Sequence, residues 1–111
     1  MSKNDKSIPL PPSIAREFAA EQTPRATGRR VRLVRDYLGW DQKKCARLAH
    51  IRQPVFSNYE TGKHMLPPAV ALAFCNDPEC QMKTGLTLDY LYRDDTQLLR
   101  SKFIEWLSKK P

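Results

Sequence analysis

"DQKKCARLAHIRQPVFSNYETGK", residues 41–63, contains two short helical patterns with a tight turn between them. Asp41 stands at an N-cap position, where its carboxylate can accept from the free N–H groups of a first turn. A helix is therefore predicted from Gln42 to Ala49, with Cys45, Ala46 and Ala49 on its inward face. A turn at His50 and Ile51 follows, then a second helix from Gln53 to Thr61, with Phe56 and Tyr59 at i, i+3 and Gly62 as its stop. Pro54 falls in the first turn of that helix, where its missing N–H costs nothing because that donor has no intrahelical partner.

Working outward, Val31, Val34 and Leu38 recur at i, i+3, i+7 and predict a helix from Thr27 to Leu38 that Gly39 ends. "QTPRATG" reads as the break before it. Upstream, "MSKNDKSIPLPP" is polar and proline-rich, and "SIAREFAAE" offers Ser13 as a cap and Ile14/Phe18 as an i, i+4 pair. Two turns are too few to be stable alone, so that segment has to dock on something. Downstream, "LPPAVALAFC" reads as a helix begun by Pro67 and Pro68, "NDPECQMKTG" as a loop, and "LTLDYLY" as a short helix capped by Thr87. The tail places Asp94 and Asp95 at the start and Lys109 and Lys110 at the end of a last helix, matching the helix dipole, with Leu99, Phe103, Trp106 and Leu107 on one stripe. No stretch alternates like a strand, so the expected class is all-α. The expected layout is a flexible segment with a short docking helix over 1–24, a five-helix domain over 25–92 and an added amphipathic helix over 93–111.

The chain has 111 residues, room for one modest core. It has no apolar run long enough to span a membrane and no secretory leader pattern, so a cytoplasmic protein is expected. Cys45, Cys75 and Cys80 form an odd set without a CxxC, and read as small hydrophobes rather than as disulfides or a zinc site. The formal charge of +7 is confined to one region: residues 25–64 carry ten Lys or Arg against Asp36, Asp41 and Glu60, while both flanks are neutral. A neutral chain with one strongly positive third suits a polyanion. No nucleophile–base pair, paired carboxylate or metal cluster recurs on one face, so neither an enzyme nor a cofactor is expected.

Two short helices joined by a tight turn, the second rich in Gln, Asn and Ser and followed by a basic loop, make a helix-turn-helix pattern. The run from Arg30 to Lys63 resembles the Cro and phage-repressor (XRE) class of that motif. The positions that carry the resemblance are Arg30, Val31, Arg32, Val34, Arg35, Gly39, Asp41, Gln42, Ala46, Tyr59, Glu60, Gly62 and Lys63, and "LTLDYLY" is similar to the family's closing helix. The resemblance implies a lambda-repressor-like fold that binds double-stranded DNA through the second helix of the motif, with Gln42 clamping the backbone. Three positions depart from the pattern. His50 stands where glycine is usual, Arg52 replaces a Ser or Thr cap, and the 76–85 link is longer than the family's.

With Ile51, Phe56 and Tyr59 buried, the opposite face of the 53–61 helix presents Arg52, Gln53, Val55, Ser57 and Asn58. Gln and Asn suit adenine, Val55 a thymine methyl and Arg52 guanine or a phosphate, so Arg52, Gln53, Val55 and Asn58 are the candidate base contacts. Gln42, Lys43, Lys44, Ser57, Thr61, Lys63 and His64 are the candidate phosphate contacts. Arg35 is as well suited to pairing with Glu60 across two helices as to meeting DNA. The expected function is a sequence-specific transcriptional regulator, a repressor without a small-molecule effector domain, associated with the bacterial nucleoid when bound. Its expected form is a homodimer on a pseudo-palindromic site. The Leu99/Phe103/Trp106/Leu107 stripe needs a partner surface: either a second subunit, which is the favoured reading, or the same chain at Ile14/Phe18 or at Leu33 and Tyr37. The rival function is a protein-interaction module on the same scaffold, such as the antitoxin of a toxin–antitoxin pair. A single-strand binder would need exposed aromatic platforms that the pattern lacks.

Overall fold

The computed structural model describes residues 23–110, a span of seven α-helices without a strand. They are α1 Pro24–Leu38, α2 Gln42–Leu48, α3 Gln53–Thr61, α4 Pro68–Cys75, α5 Pro78–Thr84, α6 Leu88–Arg93 and α7 Ser101–Ser108. The expected docking helix around Ile14 and Phe18 lies outside the described residues.

Local chemistry sets most of the boundaries. α1 begins three residues before the expected Thr27, because Thr23 caps it, accepting from Ala26 N at 3.1 Å, and Pro24 occupies the first turn. The Thr-Pro pair that reads as a break is a start signal. Asp41 caps α2 by accepting from Lys44 N at 2.7 Å. His50 takes the left-handed conformation at φ 58 in the α2–α3 turn, as the glycine usual at that position would. α3 spans its expected bounds and stops at Gly62, φ 82.

Two expectations fail downstream. "NDPECQMKTG" contains helix α5: Asp77 caps it through Cys80 N at 3.0 Å, Pro78 opens it and Gly85 closes it at φ 67. The longer link is thus an additional helix, and six helices rather than five precede the last one. Second, α7 starts at Ser101. Asp94 terminates α6 in a left-handed conformation, and Asp95 accepts from Gln97 N at 2.9 Å in the turn that follows. Neither carboxylate meets the α7 dipole, and Leu99 is buried in that turn rather than on the helix.

α1 is the central strut. Val31, Val34 and Leu38 point into a core shared with Cys45 and Ala46 of α2, Phe56 of α3, Phe74 of α4 and Leu91 of α6. The Phe56 and Phe74 rings meet edge-on with centroids 5.8 Å apart. α1 and α3 approach until their backbones nearly touch: a Cβ on Gly28 would lie 2.2 Å from the Tyr59 carbonyl oxygen. Arg30 is buried, and its Nη1 donates to the Leu91 carbonyl at 2.7 Å, which fastens α6 to α1. α7 closes the other side. Tyr37 of α1 meets Phe103 at 4.9 Å and Trp106 at 5.2 Å between centroids, and Tyr90 meets Phe103 at 6.0 Å. Leu99 and Phe103 are fully inside this core, and Trp106 and Leu107 pack against it half-buried. Of the surfaces the sequence leaves open for the tail stripe, Tyr37 of the same chain is one the structure uses. Burying an aromatic such as Phe103 there contributes about 2–3 kcal/mol.

Candidate nucleic-acid interface

α3 lies across α1 and α2 with Phe56 and Glu60 buried and Tyr59 half-buried beneath it. That leaves Arg52, Gln53, Pro54 and Thr61 exposed, with Lys63 and His64 exposed just beyond its end. Val55, Ser57 and Asn58 are half-buried. Arg52 caps α3 without a side-chain hydrogen bond. Its side chain is exposed at the helix start.

One hydrogen-bonded chain ties the first turn of α3 to the interior. The Glu60 carboxylate, 4 % exposed, accepts from Arg35 Nε at 2.6 Å and Nη2 at 3.1 Å, and from Gln42 Nε2 at 2.9 Å. Gln42 Oε1 in turn accepts from Gln53 Nε2 at 2.7 Å. The direction of this relay follows from its buried end. A carboxylate can only accept, so Gln42 must turn its amide nitrogen to Glu60 and its oxygen to Gln53. Gln53 must then donate, which leaves its Oε1 and its second N–H for a ligand. An acceptor beside a donor is what the N6 and N7 edge of adenine requires. Arg35 also donates from Nη1 to the Trp40 carbonyl at 3.1 Å, and its hydrogen bond to Glu60 raises its already high pKa against the opposing effect of burial. The sequence leaves Arg35 between two roles; the structure places it in the Glu60 pair.

The remaining candidates surround this face. Lys43 and Lys44 are exposed on the first turn of α2, whose free N–H groups also favour an anion. Lys44 is partly committed, with Nζ 4.6 Å above the Trp40 ring and 3.7 Å from Glu79. Gln42 has one amide hydrogen left for a phosphate after its two relay bonds. The Thr61 hydroxyl donates to the Asn58 carbonyl at 3.3 Å, so it can meet a further group only as an acceptor. Of the ten cations between residues 25 and 64, Arg30 and Arg35 serve the interior. Arg25, Arg29, Arg32, Arg47 and Arg52 are exposed, as are Lys43, Lys44 and Lys63.

Sequence reasoning assigns Gln42 to phosphate and Gln53 to bases but misses that they bond each other, since nothing in a spacing of eleven residues shows which way two side chains turn. It also misses Gly28, whose signal is a lone glycine inside a strong helical pattern. The three thiols are free, two buried and one half-buried, and burial pushes Cys45 up to about 12 and Cys75 and Cys80 up to about 11. A thiol so raised stays protonated near neutral pH and is a poor nucleophile or ligand. Among the described residues no cluster of His, Cys, Asp or Glu is placed to hold a metal, and no helix is long and apolar enough to cross a membrane.

Residues 26–76, which run from the first turn of α1 through α4, match the family model described as a helix-turn-helix domain. This segment is a helix-turn-helix domain, the fold of DNA-binding regulators, and its residues are consistent with the Cro and phage-repressor type. α5, α6 and α7 lie beyond the matched segment. No curated protein and no solved structure matches the chain.

Proposed function

We propose that this protein is a sequence-specific transcriptional regulator that lays α3 in the major groove of double-stranded DNA and represses by occupying its site. The observation that carries the reading is the relay from buried Glu60 through Gln42 to Gln53. A side chain held in one orientation, with a donor and an acceptor left outward, is suited to discriminating a base edge, whereas a freely rotating one must be ordered at each encounter. In this reading Gln53 and Asn58 take adenine edges, Val55 a thymine methyl, and Arg52 guanine or a phosphate at the helix start. Gln42, Lys43, Lys44, Ser57, Lys63 and His64 hold the flanking backbone and set the register without reading sequence, and Thr61 joins them by turning its hydroxyl from the Asn58 carbonyl to a phosphate.

A homodimer belongs to the same reading, because one short recognition helix rarely supplies high specificity alone, and two-fold pairing sets two such helices roughly 34 Å apart. Selection of bound sequences from a random duplex pool tests both parts. A pseudo-palindromic consensus with half-sites one helical turn apart supports the reading. A single unrepeated half-site removes the dimer. Failure to enrich any duplex, with a second polypeptide co-purifying, gives the scaffold to protein interaction instead.

A further inference from the structure

Independently of DNA binding, we propose that the groove between α1 and α7 seats the residues that precede α1, anchored by Ile14 and Phe18. The groove measures about 440 Å³, and Ala26, Arg29, Leu33, Ile104, Leu107 and Lys110 are among the residues that line it. Ala26, Leu33 and Tyr37 share one face of α1, being seven and four residues apart. α7 covers that face only at its Tyr37 end, where Phe103 and Trp106 pack on the ring. Towards Ala26 the face opens into the groove, with Leu33 half-buried and Ile104 of α7 still 37 % exposed. The result is an apolar floor continuous with the core.

The position of the chain selects the occupant. Thr23 caps α1 beside Ala26, so the preceding residues leave from the head of the groove. Phe18 lies five residues before Thr23 and Ile14 nine, and at about 3.3 Å per residue both reach any point between Ala26 and Leu33, a rise of about 10 Å along α1. The charges agree as well. "SIAREFAAE" carries Glu17 and Glu21 against Arg16, and the groove is lined by Arg29, Arg30 and Lys110 against Asp94, so a segment of net negative charge meets a groove of net positive charge. Seating it ties the start of α1 to α7 and buries the apolar surface that the aromatic tail stripe leaves uncovered.

Hydrogen–deuterium exchange on the full chain tests the assignment. Amides of residues 14–21 are expected to exchange at least about tenfold more slowly than an unstructured chain, independently of protein concentration. Ile104→Asp should return them to the unstructured rate while α3 retains its protection. Phe18→Ala, a change outside the described helices, should do the same even if Ile104→Asp fails to fold. Exchange at the unstructured rate in the wild type overturns the proposal, as does protection that survives both substitutions. Protection that fades on dilution also overturns it, by giving the groove to a second copy.

Discussion

Glu60→Gln isolates the group that holds Arg35 and, through Gln42, orients Gln53 at the start of α3. The carboxylate accepts three hydrogen bonds, two from Arg35 and one from Gln42, and is 4 % exposed. An amide keeps the shape but turns one acceptor oxygen into a donor, so at least one bond becomes a donor–donor contact. The Arg35 guanidinium, 16 % exposed, then keeps the Trp40 carbonyl, and its remaining carboxylate partner is Asp36 at 3.9 Å, whose side chain is 44 % exposed. Breaking one partner of a buried pair costs about 3–5 kcal/mol, and the residual exposure of Arg35 puts this case at the lower end, about 3 kcal/mol. With a urea slope of about 1.5 kcal/mol per molar, the unfolding midpoint should fall by about 2 M. Arg35→Met combined with Glu60→Leu replaces the pair by apolar groups of similar volume and should regain most of that loss. Gln42 stays without its anchor in the double variant, so binding to the selected duplex should remain weak although the fold recovers. A Glu60→Gln protein within about 0.5 kcal/mol of wild type, or a double variant with full affinity, would refute the relay argument.

Gly28→Ala should destabilise by about 3 kcal/mol in the same unfolding assay, because its Cβ would overlap the Tyr59 and Glu60 backbone; helix propensity alone predicts a gain of about 1 kcal/mol, so the sign decides. The thiols' contribution to stability should be level from neutral pH to 9.0 and fall as pH rises towards 11–12: they ionise from 9.0 in the unfolded chain, whereas burial holds Cys45 at about 12 and Cys75 and Cys80 at about 11 in the fold. Urea midpoints at a series of alkaline pH values check this, and a level profile up to pH 11 contradicts it. Lys63→Gln should soften the slope of log K against log salt by about one unit and weaken cognate and random duplexes alike, as titration at several salt concentrations would show.

The helix-turn-helix itself was legible because its determinants are local. Asp41, Pro54, Gly62 and the 3.6-residue recurrence of Val31, Val34 and Leu38 each act within a turn or two of their own position. The same chemistry was present but misread at two places. Thr23-Pro24 and Asp77-Pro78 are both cap-and-proline starts, yet the first reads as a break because proline also ends helices, and the second falls in what reads as a loop because the residues after Asp77 show little apolar periodicity. The tail was misjudged for a different reason. Asp94 reads as an N-terminal acid by sequence, yet its left-handed conformation closes α6. The candidate site was legible as a set of residue types on one helical face. The bonds among Arg35, Glu60, Gln42 and Gln53 were not, apart from the Arg35–Glu60 pairing, because they join three helices and depend on rotamers that only the assembled fold selects.

In the proposed reading α3 meets base edges with a side chain that the interior holds in place. Equilibrium titration of Gln53→Ala against the selected duplex and a scrambled one of equal length tests it most directly. The expected loss is about 1–3 kcal/mol on the selected duplex and less than about 0.5 kcal/mol on the scrambled one. Equal losses on both would contradict it, placing Gln53 on the phosphate backbone and sequence discrimination elsewhere.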